Sequence, residues 1–191
     1  FNKDSIRINE VVIEKANFSL LKDNFKTIYE NSENKFSKKK IKINNSNIFF
    51  KNNLNEVISI IKISNAFLFF DEKNLFNLFN LKGEIFNIPF ELNYQNIINS
   101  QKKIKLKAPD LKLEIINKFF KKDEDPSNGI NNISILNSSI NTKYSIKDQI
   151  VIFQSDGSRI YNSKIDYNGQ LAINPFDLNL IINLYNYKIS N

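Results

Sequence analysis

The sequence predicts a mainly β protein, a long curled antiparallel sheet with few or no long helices, and three observations carry that prediction. The first is a two-residue alternation, sharpest near the end of the chain. Ile165, Tyr167, Gly169, Leu171 and Ile173 alternate with Lys164, Asp166, Asn168, Gln170 and Ala172, and Phe176, Leu178, Leu180, Ile182 and Leu184 alternate with Asp177, Asn179, Ile181 and Asn183. Successive side chains of a strand point to opposite faces, so this period belongs to strands and gives each one an apolar side. The second is composition: β-branched and aromatic residues gather in short runs that Asn-rich pieces punctuate. The third is a repeat. Gly83-Glu84-Ile85-Phe86-Asn87-Ile88-Pro89-Phe90-Glu91-Leu92-Asn93 and Gly169-Gln170-Leu171-Ala172-Ile173-Asn174-Pro175-Phe176-Asp177-Leu178-Asn179 share one template and use half of the four Gly and four Pro in the chain. Upstream of each copy, residues 41 to 48 (IKINNSNI) match residues 133 to 140 (ISILNSSI). The order of the two motifs is the same in both halves, which reads as two tandem β-repeats of roughly 85 to 90 residues.

Taken in order, residues 1 to 40 hold short strands at Ile6 to Ile8, Val11 to Ile13 and Phe18 to Leu21, then a polar loop over residues 31 to 40. The Lys38-Lys39-Lys40 run reads as a solvated connection before a phosphate-binding patch. The first repeat, residues 41 to 118, is a series of strands at 41 to 50, 57 to 63, 66 to 70, 81 to 86 and 90 to 94. Leu75, Phe76, Leu78 and Phe79 come close to a helical period, so residues 71 to 80 are expected to carry one or two helical turns. Ile104 and Leu106 alternate with Lys103, Lys105 and Lys107, another strand with one greasy side. Residues 119 to 132 are expected to be a polar linker loop, in which Asp123-Glu124-Asp125 lacks the regular ligand spacing of a calcium loop. The second repeat, residues 133 to 191, continues the same sheet. Within the hairpins Pro175 withdraws a donor where the chain turns, and Gly169 leaves a gap on the apolar face or allows a bend.

Composition narrows the function classes. The chain of 191 residues is long enough to bury a core, and it opens on Phe1 rather than Met, as expected of a segment of a longer protein. No apolar run approaches the roughly 20 residues that span a bilayer. Net charge is +7, but Lys, Asn, Ile and Phe dominate as in an AT-rich genome, which weakens the case for nucleic acid. The seventeen Phe and seven Tyr fall within apolar runs while Lys alternates to the opposite face, so they read as packing residues and not as a base-stacking platform. With no His and no Cys, the usual triads and most zinc sites are unavailable, and the four Gly never cluster into a phosphate loop. Glycoside chemistry would need a carboxylate pair such as Asp156 with Asp166, and nothing in the sequence ties the two to one cleft. The expectation is a non-enzymatic protein with no cofactor, no metal, no nucleic-acid partner and no small-molecule substrate.

A sheet with one greasy face must bury it, and the chain offers almost no long amphipathic helix as cover. A second sheet or an apolar ligand remains. The strand Ile-x-Ile-x-Asn-Ser-x-Ile (41 to 48, 133 to 140), followed some 40 residues later by the Gly-x5-Pro-Phe-acid-Leu-Asn hairpin, resembles the strand grammar of the AsmA-like family of bacterial envelope proteins. That family includes TamB-type and YhdP-type members and is related to the repeating β-groove lipid-transfer proteins of eukaryotes. The resemblance implies a taco-shaped β-groove in the periplasm, anchored to the inner membrane by a segment outside this chain. It also implies movement of phospholipid toward the outer membrane and no catalytic residues. On that reading Ile85, Phe90, Leu92, Ile104, Leu106, Ile165, Tyr167, Leu171, Ile173, Phe176, Leu178, Leu180, Ile182 and Leu184 contact acyl chains, at roughly 0.8 kcal/mol for each buried methylene. The competing expectation is a structural or adhesive β-repeat whose apolar faces are filled by protein.

Overall fold

A computed structural model describes residues 9–21, 24–121, 127–172 and 175–185. The mainly β expectation holds: the described residues form fourteen strands, one α-helix and a single 3-10 turn. They fall into two compact units, Phe1–Ile98 and Asn99–Asn191.

The first unit contains β1 (Glu10–Glu14), β2 (Asn17–Leu21), α1 (Asn24–Glu33), β3 (Lys40–Lys51), β4 (Val57–Asp71), β5 (Phe76–Ile85) and β6 (Ile88–Ile97). β3 to β6 run as an antiparallel meander in chain order, and β1 and β2 both lie parallel to β3 along its free side. Short returns explain the meander, because Phe86 and Asn87, both at positive φ, form a two-residue hairpin tip. At the other end of the unit the Asp71 carboxylate accepts the amides of Lys73 and Asn74 at 2.9 and 3.0 Å, closing a tight turn before β5. The helical turns expected over residues 71 to 80 are therefore a turn followed by strand. The apolar spacing there is compatible with both, and pairing to β4 on one side and β6 on the other settles it.

The second unit contains β7 (Gln101–Ala108), β8 (Leu113–Phe120), β9 (Ser127–Ile135), β10 (Ser138–Lys147), β11 (Ile150–Ser155), β12 (Ser158–Ile160), β13 (Ser163–Ala172) and β14 (Asp177–Tyr185), all antiparallel to their neighbours. β11 and β12 occupy the same lane between β10 and β13, and the lane breaks at Asp156-Gly157, where Gly157 has φ +73. Ser158, fully buried, fills the break by accepting the Asn141 amide at 2.8 Å and donating to its carbonyl at 2.9 Å. Phe119, Phe120 and residues 127 to 132, expected in a linker loop, lie instead in paired strands β8 and β9. Only residues 122–126, with the Asp123-Glu124-Asp125 triplet, fall outside the described residues of that stretch.

The two Gly-to-Asn motifs both build hairpins, with different returns. Gly83 pairs with Phe90 across a two-residue tip, whereas Gly169 pairs with Leu180 and four residues separate Ala172 from Asp177. The partner moves by four positions, an even number, so the same side chains stay on the same face. The shorter match lies wholly within β3 in the first unit and spans the β9 to β10 hairpin in the second, with Leu136-Asn137 at its tip. The short N-terminal strands expected over residues 11 to 13 and 18 to 21 are present as β1 and β2, while Ile6-Arg7-Ile8 lies outside the described residues. Helix α1 departs from the expectation of strands and loop; Phe25, Ile28 and Tyr29 carry helical spacing, but over a segment too short and polar to stand out.

Candidate functional site

Registers assemble one apolar face in each unit. In the first, Ile43 aligns with Ala66 and Leu81, and Leu81 with Leu92; Ile63 aligns with Gly83, and Gly83 with Phe90. Ile63, Ala66 and Leu81 are buried, and Ile43, Ile48, Phe79, Phe90 and Leu92 pack against them. The predicted residues Ile85, Phe90 and Leu92 thus share one face, and their neighbours already fill much of it. The opposite face carries cross-strand ion pairs, Lys62 to Glu84 at 2.9 Å and Lys82 to Glu91 at 2.6 Å. Their exposure makes them worth little stability, but they mark that side as the solvated one. An open depression of about 340 Å³ lies on this charged side beside Ile58, Ile60, Lys62 and Glu84.

One end of the first unit's apolar face is closed by the end of α1 and the loop behind it. Asn77, fully buried, accepts the Phe36 amide at 2.8 Å and donates to the carbonyls of Asn34 at 2.7 Å and Ser32 at 3.4 Å. Asn96, 2% exposed, donates to the Ser32 carbonyl at 2.8 Å. Two side chains on the sheet thereby satisfy backbone groups that a helix end leaves without partners. Nothing in the sequence set these two asparagines apart, because the chain is full of Asn.

In the second unit Leu106 aligns with Ile115, Ile133 and Ile140, and Ile165 with Leu184, Tyr167 with Ile182, and Leu171 with Leu178. Ile104, Leu106, Ile165, Tyr167, Leu171, Leu178, Leu180, Ile182 and Leu184 accordingly lie on one face, as the alternation predicts. Phe176 sits exposed in the turn before β14, beyond the paired residues, and Ile173 lies outside the described residues. Sequence reasoning missed Phe119, Tyr144 and Phe153 on the same face; the first was assigned to a loop and the others stood in runs without clean alternation. Leu178, Leu180, Ile182 and Leu184 are 46 to 67% exposed.

This face is interrupted by a polar row of Asn117, Asn131, Thr142 and Ser155. Tyr144 lies beside it, its hydroxyl paired with the Asn117 side chain at 3.0 and 3.1 Å, and the Tyr167 hydroxyl reaches Thr142 Oγ1 at 2.5 Å. Burial pushes the Tyr144 hydroxyl above its ordinary pKa of 10.0, and the hydrogen bond from Asn117 pulls partly back. A raised native pKa means that the stability it contributes is present below pH 10 and is lost as pH rises through the native value. Tyr144→Phe should therefore cost about 1 kcal/mol near neutral pH, and its deficit relative to the parent should shrink in denaturant titrations above pH 10. Tyr94, on the first unit's apolar face, gives the contrast. Its hydroxyl is buried with no hydrogen-bond partner among the described residues, so Tyr94→Phe should leave stability unchanged or raise it.

The remaining sequence candidates disperse. Asp156 pairs with Lys143 at 2.9 Å, and Asp166 with Lys164 at 2.6 Å, each carboxylate held by its own lysine. Lys38 pairs with Glu72 at 2.5 Å, and Lys40 lies 4.1 Å over the Phe67 ring, so these two members of the basic run already have partners. Among the described residues no group of three or more His, Cys, Asp or Glu is placed to hold a metal ion, and no helix is long and apolar enough to cross a membrane.

No family model matches the chain, and neither a curated protein nor a solved structure matches it.

Proposed function

We propose that the chain is a non-enzymatic lipid-binding surface, of the kind the AsmA-like resemblance implies, which carries phospholipid acyl chains on the apolar face of its second unit. The observation that supports this reading is the persistent exposure of Leu178, Leu180, Ile182 and Leu184 on a face continuous by register with Ile165, Tyr167 and Leu171. Apolar side chains in such a row gain by covering, and an acyl chain laid along them needs no specific polar partner to be held. The polar row from Asn117 to Ser155 offers hydroxyl and amide groups where an ester or headgroup oxygen would rest. A periplasmic setting, an anchor elsewhere in a longer chain and transfer toward the outer membrane belong to the same proposal.

The first unit favours the competing structural reading for its own part. Its face is filled by Ile63, Ala66, Leu81 and the side chains around them, which leaves less apolar surface for a ligand. Lipid binding is accordingly assigned to the second unit, and the first is a packed, helix-capped unit.

Native mass spectrometry of the purified chain, with organic extraction of what co-purifies, tests the proposal. Phospholipid near one or more molecules per chain is the expected result. Ile104→Asp and Leu180→Asp, at positions 41 and 46% exposed and so compatible with folding, should each lower retained phospholipid about tenfold or more. A lipid-free mass from folded protein after exposure to phospholipid vesicles, or full retention by both variants, would remove the reading in favour of a structural β-repeat.

A further inference from the structure

β14 has β13 on one side and no strand on the other among the described residues, and beyond Asp177 at its first position it carries none of the usual protection of an edge. Edge strands normally carry charge, Pro or a bulge that discourages pairing with another chain. Residues 178 to 185 read Leu-Asn-Leu-Ile-Ile-Asn-Leu-Tyr without a charge or Pro, and every residue of the strand is exposed. The strand is also close to a palindrome about Ile181. Leu180 mirrors the similar Ile182, Asn179 mirrors Asn183 and Leu178 mirrors Leu184, while the end residues Asp177 and Tyr185 do not match.

An antiparallel strand pairs with a copy of itself around a two-fold axis normal to the sheet, and a palindrome then sets each side chain opposite its like. We infer that β14 is a self-association strand, which joins two copies of this chain edge to edge with Ile181 at the axis. On one face Leu178 would oppose Leu184 of the partner subunit, and Leu180 would oppose Ile182 of the partner subunit, extending the apolar face across the junction. On the other face Asn179 would oppose Asn183 of the partner subunit, side chains that satisfy each other by amide hydrogen bonds, and Ile181 would meet its own counterpart. Asp177 opposes Tyr185, so no like charges face one another. Nine residue pairs supply about eight to ten backbone hydrogen bonds in a ladder of this kind. A slip by one residue would set Asn against Leu and turn apolar side chains toward the wrong face, so the palindrome fixes the register as well as the partner. The inference does not depend on lipid binding.

The absence of Cys from the chain makes the register directly readable. Opposed residues have Cα atoms about 4.5 to 5.5 Å apart, within the range a disulfide spans. Ile181→Cys should cross-link to itself under mild oxidation. Asn179→Cys should not, since its counterpart lies about 13 Å along the ladder, but a mixture of Asn179→Cys and Asn183→Cys should give the mixed dimer. Light scattering over a concentration series should show a dimer for the parent chain and a monomer for Ile181→Lys, which sets two cations at the axis from a position 61% exposed in the single chain. Ile104→Asp should lose lipid and keep the dimer, which separates this inference from the lipid reading. A parent chain monomeric throughout, an Ile181→Lys variant that stays dimeric, or Asn179→Cys cross-linking to itself as readily as Ile181→Cys would overturn it.

Discussion

Asn77→Ala is expected to lower stability by about 3 kcal/mol, because it leaves the Phe36 amide and the Asn34 carbonyl without the partner that takes them out of water. The Ser32 carbonyl keeps its bond from Asn96, so the loss falls on two groups and not on three. For a chain of this length the change corresponds to a fall in melting temperature of about 6 to 12 °C. Amide exchange at Phe36 should rise with it, since the loop behind α1 loses its anchor while the strands keep their ladders. Asn77→Asp sharpens the test. A carboxylate cannot donate to the Asn34 carbonyl and is repelled by it, so the native pKa of the new acid is raised above the ordinary value of about 3.9. Its stability is then best at acidic pH and is lost as pH rises through that raised value. An Asn77→Ala variant with unchanged melting and unchanged exchange at Phe36 would show that the helix end is held by something other than these bonds.

Gly129→Ala is expected to cost about 1 to 3 kcal/mol despite adding a single methyl group. The Tyr144 ring lies directly over Gly129, and a Cβ there would come within 2.0 Å of the ring carbon that bears the hydroxyl. The ring must swing away, and doing so breaks its hydrogen bonds to Asn117. The clash is with a side chain, so it is relieved by removing that side chain. In a double-mutant cycle Tyr144→Ala should be costly alone, and adding Gly129→Ala to it should cost almost nothing more, a coupling of at least 1 kcal/mol. Gly169 behaves differently. A Cβ there meets the Asn179 carbonyl of β14 at 2.4 Å as well as the Phe153 ring at 2.6 Å, so trimming Phe153 should not rescue Gly169→Ala. Additive effects at Gly129 and Tyr144 would mean that the ring does not occupy the glycine's place in solution.

These two glycines show how the face is built. The sequence suggested that Gly169 leaves a gap on the apolar face or permits a bend, and the structure fills that gap with the Phe153 ring of the neighbouring strand, as it fills the gap at Gly129, expected in a loop, with the Tyr144 ring. The pairing joins residues 15 and 16 positions apart, on strands whose register no local pattern specifies. Asn77 and Asn96 were illegible for a related reason. Each is one Asn among many, and what distinguishes it is the arrival of a helix end about 40 to 60 residues earlier in the chain.

The alternation of apolar and polar residues by itself pointed to strands over residues 164 to 173 and 176 to 184, and to which of their side chains share a face. A period of two survives any even change of register, so the face formed by Ile165, Tyr167, Leu171, Leu178, Leu180, Ile182 and Leu184 could be read before any partner was known. The tertiary structure alone decided who lies opposite whom. Gly169 faces Leu180 and not Phe176, because the return between Ala172 and Asp177 is centred two residues further along the motif than the return between Ile85 and Ile88. It also decided residues 76 to 80, where the spacing fits helix and strand alike and two flanking strands supply the hydrogen bonds that choose between them.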